Sequence, residues 1–556
     1  MAVNDIFRKV PIEVPNKSGF DMSSEVFSTM KVGTLVPIHS DLLLPNDTVD
    51  LSVSAEVQLP PMATDFYGRV KAHFETFFVP CRQLYGGWQE LITHPVTGDA
   101  WPSGTSVNQK AKYLPTLRIP VNKMTPGSLS DYLGYGFATP TVPADSFVDV
   151  LNPMKYLAYH KIWQDYYRDS RIQQPAFSKP PINGVSAQVD PTFSYLPYST
   201  HYSDTPYLLR DVASSNFYGL RCADGKECYE LRQRCFGKDY FTNATPLPQA
   251  GQPAAVAFGI ENNQGAFTIA SLRAANALQM WLERNNVAGY RYGDQIRAQF
   301  GIYPADAALD RPIYLGRQVV DVYNKSVYQN DGDTQASNTN NPFSTVGSKY
   351  GSPLGVGSGS LVGKFTASEH GYLMTIFSLV PDSIYSDVLD KDFWFNKMAD
   401  FPFPLLQGVG DEPISLAEIV GYKASAQSVA ASNLVLEQMH DAVFAYTQRY
   451  ASSKFKLDRV HGLLKDNEDL QSFALQRSFE WSASDTPGFG SEFLEIPTDY
   501  LDNVAAVQGD VSKYGCWADM HFSYHKVSTL AAYSIPTLGE PKNTHTEVIE
   551  NGGTRL

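Results

Sequence analysis

The chain has 556 residues, 43% of them apolar and 18% charged, with a formal net charge of −14. It is too hydrophobic to be disordered and too interrupted by Pro and Gly for a coiled coil, so it folds around a core, as two or three domains or as one elaborated all-β unit. A chain this acidic does not neutralise nucleic acid by itself; that would take a local basic patch or a separate basic partner.

Residues Met1 to Val10 carry no apolar run of the kind that opens a signal peptide, and no later stretch approaches the roughly 18 apolar residues of a membrane span. A soluble protein that is not exported by a signal peptide is expected. Pro45-Asn46-Asp47 turns the chain into the clearest strand, Thr48 to Leu59, where Val49, Leu51, Val53, Ala55, Val57 and Leu59 alternate with polar residues. Pro60-Pro61 ends it, because proline cannot donate to a ladder. A second strand is expected over Arg69 to Val79, its end apolar on both faces at Phe77, Phe78 and Val79. Further strands are expected at Gly371 to Val380 and at Cys516 to Val527, so strands open the chain, recur past its middle and close it.

Helices stand between these runs. Asn152 and Pro153 start one carrying Tyr156, Tyr159, His160, Trp163 and Tyr167 at three-and-four spacing. A second follows Ser271 with Ala274, Leu278, Trp281 and Leu282 on one face, and Ser415-Leu416-Ala417-Glu418 is a capping box opening a third. The intervals Gln174 to Lys238 and Tyr323 to Gly363 are aperiodic and read as long loops, with Asn330 to Asn341 the most mobile stretch. Structureless loops beyond about 15 residues are uncommon unless they bind something, so both point to surfaces completed by other subunits or ligands. The 32 Tyr and 31 Phe suit such contact surfaces and equally suit strands.

Strong catalytic signatures are missing: there is no HExxH, no GxSxG and no Walker loop. Gly355-Val356-Gly357-Ser358-Gly359 lacks the following Lys-Ser/Thr and reads as a flexible loop. Five cysteines are too few for a disulfide framework and favour a reducing cytoplasm; Cys222, Cys228 and Cys235 depart from the paired short spacings of zinc sites. His521 and His525 share a strand face with Asp519, where a hydrogen-bonded surface pair is favoured over a metal. No catalytic residue, metal ligand or cofactor is therefore assigned. Glu480, Asp485, Glu492 and Glu495 read as scattered surface acids, although they keep open a carbohydrate-binding or carbohydrate-active β-sandwich. A phage fibre would need repeated strand motifs that are not evident. Two basic clusters, Arg8, Lys9 and Lys17, and Lys454, Lys456 and Arg459 around Phe455, are candidates for lining single-stranded DNA, with solvated faces as the plainer reading.

Several segments in order resemble the major coat proteins of microviruses, and more closely their gokushovirus-like branch. They are Ser18-Gly19-Phe20-Asp21-Met22-Ser23; Phe77-Phe78-Val79-Pro80 with Arg82; Trp163-Gln164-Asp165-Tyr166-Tyr167-Arg168-Asp169; Lys238-Asp239-Tyr240-Phe241-Thr242; and Pro246-Leu247-Pro248-Gln249. They continue with Leu272-Arg273, Glu283-Arg284, Gly289-Tyr290-Arg291-Tyr292, Phe300-Gly301, Arg311-Pro312-Ile313-Tyr314-Leu315-Gly316, Glu369-His370-Gly371-Tyr372, and Phe444-Ala445-Tyr446 with Arg449-Tyr450. Each piece is weak and their collinearity is the signal.

The resemblance implies a mainly β protein, a viral eight-stranded jelly-roll β-barrel with long α and loop insertions, and a non-enzymatic role. It further implies a T=1 icosahedral shell of identical subunits around circular single-stranded DNA, assembled in the host cytoplasm into a virion. Other implied partners are a small basic DNA-binding protein, minor pilot, spike or scaffolding proteins, and a host surface receptor, with a glycan as one candidate. The expected organisation is an interior-facing arm at 1–30, one jelly-roll domain at 31–535 with insertions at about 81–240, 250–365 and 381–460, and a tail at 536–556. Subunit contacts are expected at Tyr166, Tyr167, Arg168, Tyr202 and Tyr207. In one respect the chain departs from the gokushovirus-like pattern: only Gly251 to Ala270 stands where a long variable insertion builds a threefold protrusion. No large protrusion is expected there, and the loop from Gln174 to Gly237 is the candidate for exposed surface.

Overall fold

Eight antiparallel strands wind around one apolar core. The computed structural model describes residues 17–85, 117–137, 147–176, 229–248, 292–328, 349–422, 439–479 and 488–530, with short gaps, and a few positions between them. Strand β1 has two segments, Ser18–Asp21 and Ser24–Met30; β2 is Val36–Leu43, β3 Thr48–Gln58, β4 Val70–Pro80, β5 Ile313–Tyr328, β6 Lys349–Thr366, β7 Gly371–Pro381 and β8 Cys516–Ser528. Both segments of β1 pair with the same strand, β8, and the spatial order is β1-β8-β3-β6-β5-β4-β7-β2. The pairs β1 with β8, β2 with β7, β3 with β6 and β4 with β5 are therefore nested, like one long hairpin rolled up on itself. That is the jelly-roll arrangement, and the sheet curls into a half-barrel.

Alternation in the sequence decides which side chains enter the core. Val49, Leu51, Val53, Ala55 and Val57 of β3 face Ala518, Met520, Phe522 and Tyr524 of β8 in one cluster with Phe74, Phe78, Leu373 and Phe377. The ring of Phe74 meets its cross-strand partner Phe377 edge-on at 5.1 Å. Burial of each such side chain contributes about 1.5–3 kcal/mol. The turn before β3 forms as expected: Asn46 takes φ 72°, and the fully buried Asp47 accepts a 2.9 Å bond from Leu44 N. Lys526 Nζ binds Asp41 at 2.9 Å and lies 3.5 Å from Asp47, fastening the end of β8 to this turn.

Residues 323–328 and 349–363, expected within a loop, are instead strand, and so is the glycine run among them; 329–348, with the stretch Asn330 to Asn341, lie outside the described residues. Val356, Ser358 and Ser360 point outward, while Gly355, Gly357 and Gly359 occupy the inward positions of β6. They are glycine because β5 fills the space: a Cβ on Gly357 would stand 2.7 Å from Val320, and one on Gly355 2.9 Å from the Asp321 carbonyl. Period-two alternation between glycine and serine carries no hydrophobic signal, which is why the sequence hides this strand. Gly357→Ala should cost about 1–3 kcal/mol through overpacking, read as a lowered denaturation midpoint; an unchanged midpoint would mean that β5 and β6 are not packed this closely. Strand β1 falls within the segment 1–30 expected as an arm, and β5 and nearly all of β6 fall within the segment 250–365 expected as an insertion.

Two further layers are built from the connections between strands. On the outer face of β4 and β7, Phe77, Val79, Tyr372, Met374 and Ile376 pack against helix α1, Met154–Ile162. This helix is buried on all sides, and its tyrosines satisfy their hydroxyls inside the layer: Tyr156 donates to Ser130 Oγ at 2.7 Å and Tyr159 to the Leu35 carbonyl at 2.8 Å. Asn152 accepts from Met154 N at 3.1 Å, as its position before Pro153 suggests.

The third layer joins Tyr240, Phe241, Tyr385, Phe444 and Phe493 to helix α2, Leu416–Val420. The capping box that opens α2 is present, with Ser415 N donating to Glu418 Oε1 at 2.9 Å. Arg477 links this layer to the barrel: its guanidinium lies 4.2 Å from the ring of Phe236 and 4.6 Å from that of Phe493, and donates to the Phe493 carbonyl at 2.7 Å.

Candidate assembly surfaces

Segments that are far apart in sequence, and that carried the family resemblance, meet in space. After α1 the chain widens into a π-turn, Trp163–Tyr167, which directs Tyr166 and Tyr167 back onto the barrel. The Tyr167 hydroxyl donates to Glu75 Oε2 at 2.6 Å, while that of Tyr166 binds the Pro312 carbonyl, with the Arg311 guanidinium 4.6 Å from its ring. Arg168 reaches the Gln173 carbonyl at 2.8 Å. Asp169 receives Arg171 at 2.9 Å and is also bound by Lys238. Burial alone would raise the Asp169 carboxyl, but these two cations hold it far below the usual carboxylate range.

The next segment continues the chain of contacts. Tyr385 donates to Asp239 at 2.8 Å, Tyr240 to Glu418 at 2.9 Å, and Thr245 N to the Tyr446 carbonyl at 2.8 Å. Near the end of β4, Arg82 grips Glu369 through two 3.1 Å bonds and Asp310 through one of 2.7 Å. These groups brace the inserted segments against one another and, at Glu75, Pro312 and Glu369, against the jelly roll. Within this chain, the hydroxyls of Tyr166 and Tyr167 are engaged by the barrel and Arg168 by carbonyls of its own segment; Tyr202 and Tyr207 lie outside the described residues.

The basic candidates divide in the same way. Lys17 is exposed at the start of β1, with Nζ on the Asn46 carbonyl at 2.6 Å and on Asn46 Oδ1 at 2.8 Å. Arg8 and Lys9 lie outside the described residues. Lys454 and Lys456 are exposed on either side of Phe455 in a turn of the third layer, whereas Arg459 is half-buried and paired with Asp390.

The residues that could carry chemistry lie apart from one another among the described residues. His521 and His525 point outward from β8, as their spacing suggests, with His525 Nδ1 3.8 Å from Asp21. Among the described residues no three His, Cys, Asp or Glu side chains are grouped to hold a metal. Cys235 is half-buried beside Gln173, with its thiol pushed up to about 12 by burial; Cys222 and Cys228 lie outside the described residues. Glu495 is engaged by Gln173 at 2.7 Å, Glu492 is exposed, and Glu480 and Asp485 lie outside the described residues. A groove of about 630 Å³ runs beside the paired ends of β1 and β8, lined by Phe27, Trp517, Tyr132, Glu56, Asp131 and Asp519. It contains no nucleophile paired with a base. Among the described residues no helix is long and apolar enough to cross a membrane.

Outward-facing apolar side chains are what the sequence reading underrated. On the helix after Ser271, Leu278 and Trp281 are 50% and 46% exposed; Ala274 and Leu282 lie outside the described residues. The two described members of the expected stripe, three positions apart, are thus turned to solvent. Phe300, Ile302 and Tyr303, at and just after the helix Tyr292–Phe300, are 60–75% exposed. Exposed aromatic and aliphatic groups on a braced scaffold are what association between proteins uses.

Comparison with known proteins agrees with this picture. The sequence matches the family described as capsid protein (F protein) over residues 9–266 and 261–538. It is 25% identical to capsid protein VP1 of Chlamydia phage 1, over 96% of this chain and 97% of that one. It is 24% identical to capsid protein VP1 of Bdellovibrio phage phiMH2K, over 95% and 97%, and 21% identical to that of Spiroplasma virus 4, over 94% and 95%. A jelly roll, insertions braced from within, unspent apolar surface and a match along nearly the whole chain converge on one conclusion: this chain belongs to the phage capsid protein (F protein) family, as a major capsid protein.

Proposed function

We propose that copies of this chain close into a T=1 icosahedral shell around a circular single-stranded DNA genome, assembled in the host cytoplasm, and that its role is structural without turnover. The observation that supports this most is the division of labour in the fold. The ion pairs that brace the layers, such as Glu75 with Arg234 and Asp169 with Arg171, are closed within the chain, and large apolar side chains face outward on the inserted parts, where a neighbouring copy can cover them. Tyr202 and Tyr207 are proposed contacts, and Tyr166, Tyr167 and Arg168, already bonded within the chain, are proposed to order the inserted layer beside a neighbouring subunit.

In this reading the segment before β1, with Arg8 and Lys9, and the neighbouring Lys17 face the genome, with Lys454 and Lys456 as a second contact. With a net charge of −14 per subunit, much of the phosphate charge falls to a small basic partner. Minor pilot, spike or scaffolding proteins and a host receptor complete the proposed partners. Electron microscopy of purified protein should show uniform icosahedral particles; a species that stays monomeric under every assembly condition refutes the proposal. Replacing Arg8, Lys9 and Lys17 together with glutamine should lower packaged DNA by about half or more while shells still form. Unchanged DNA content would remove those three from the interior.

A further inference from the structure

The connection from β7 to β8 carries an apolar ridge that the fold leaves uncovered. It consists of three short 3-10 turns, Lys391–Trp394, Met398–Asp400 and Pro404–Val409. Its backbone is held from within: the Asp400 carboxylate accepts from Asn396 N at 3.1 Å and Lys397 N at 2.9 Å, and Lys391 reaches the Pro413 carbonyl at 2.7 Å and Glu412 at 3.4 Å. Trp394 stacks on His440 at 3.9 Å. Beside the exposed Asp392, Asn396, Lys397 and Gln407, the ridge turns five large apolar side chains to solvent: Phe393 is 55% exposed, Met398 72%, Phe401 52%, Phe403 42% and Leu405 93%. Tyr422, 65% exposed, extends it, with its ring 6.3 Å from that of Phe393.

Together these six side chains expose roughly 700 Å². Soluble monomers seldom show contiguous apolar patches above a few hundred Å², whereas one side of a stable interface covers about 800 Å². We propose that the ridge is a contact between copies of this chain, its occupant being a second capsid subunit. This rests on the reading of the chain as a self-assembling coat. The composition, Phe, Met and Tyr, is that of the buried centre of a permanent interface. Of its ionic groups, Lys391 and Asp400 are engaged within the chain, while the exposed Asp392 and Lys397 are the kind of charged group that interfaces carry around an apolar centre. Because the turns are already ordered, little conformational entropy is lost when the ridge is covered.

The test is the double substitution Met398→Asp and Leu405→Asp, followed by sedimentation and electron microscopy beside the unaltered protein, with circular dichroism to check the fold. The assembled fraction should fall by about tenfold or more, with an unchanged spectrum. In parallel, a benzoylphenylalanine photo-crosslinker placed at Leu405 in assembled particles should give a product of twice the subunit mass whose joined peptides both come from this chain. Shells that form as well as before, or crosslinks to another protein, overturn the assignment. Normal shells that no longer adsorb to the host also overturn it, in favour of a receptor surface. If the unaltered protein itself never assembles, it is the coat reading that fails.

Discussion

Arg234→Met is expected to destabilise the folded subunit by roughly 3–5 kcal/mol, the usual cost of removing one partner from a buried ion pair. Arg234 lies on the segment returning from the second layer, and its Nη1 donates to Glu75 Oε2 at 2.7 Å and to Ser378 Oγ at 2.8 Å, on the outer faces of β4 and β7. The same Glu75 oxygen accepts from Tyr167 at 2.6 Å, so one carboxylate, 8% exposed, ties both ends of the first inserted layer to the barrel. Burial by itself would raise the Glu75 carboxyl; Arg234 and the Tyr167 hydroxyl more than offset this and keep it below its ordinary range. Without the arginine, Glu75 must remain charged with one donor or take up a proton, and either is costly in such a place. The double variant Glu75→Gln, Arg234→Met should recover much of the loss, because no unpaired charge is left behind. Chemical denaturation of the purified subunit measures both. A single variant within about 1 kcal/mol of the parent would show that the pair is not what fastens the layer.

The legibility of this fold in its sequence followed hydrophobic contrast. Thr48 to Gln58 could be read because every second residue is aliphatic, and the end of β4 announced a second layer because Phe77 and Val79 join Phe78 in being apolar. The same rule failed at β6, where the inward residues are glycines, and at β1, whose residues from Ser24 to Met30 are mostly polar because one face of that edge is solvated. Chain topology was out of reach for a different reason. Arg82 with Glu369, Glu75 with Arg234, and Asp169 with Lys238 are separated by 287, 159 and 69 positions, and no local period records such pairs. Order along the chain could still be matched to a family, which is why the fold was reached through collinear fragments. At the assembly surfaces, the stripe on the helix after Ser271 was visible, but periodicity cannot say whether a stripe is covered by the same chain or by the next. The ridge at 391–409 has no period at all.

Acid should weaken the subunit well before its carboxylates titrate. His39 and His73 both stand in places that disfavour a charged ring, and each is lowered to about 4. For His39 the first cause is burial, between the rings of Phe522 and Tyr524; Lys155 adds to it and Asp41 opposes it. For His73, on the outer face of β4, burial again leads; the cations of Arg234, Arg317 and Lys71 push the same way and Glu75 opposes them. Its cross-strand neighbours, Ser378 and Val319, bring no charge. Among the described residues, Nδ1 of each ring is buried without a hydrogen-bond partner, so a proton added there finds no acceptor. Since both folded values lie below the ordinary 6.5, the unfolded chain takes up protons that the folded one refuses. The stabilisation is therefore complete above about pH 6.5 and is lost as pH falls towards 4. At one pKa unit per 1.36 kcal/mol, and discounting for the partial solvent access of both rings, each histidine should account for about 2 kcal/mol by pH 4.5. The lowered carboxyl of Glu75 adds a further loss only below its ordinary range, while the raised carboxyl of Glu418, buried in the third layer, acts in the opposite sense. Thermal unfolding followed from pH 7.5 to 4.5 should show the midpoint dropping across this window, with most of the drop absent from the double variant His39→Gln, His73→Gln. An equal drop in parent and variant would move the acid sensitivity away from these two rings.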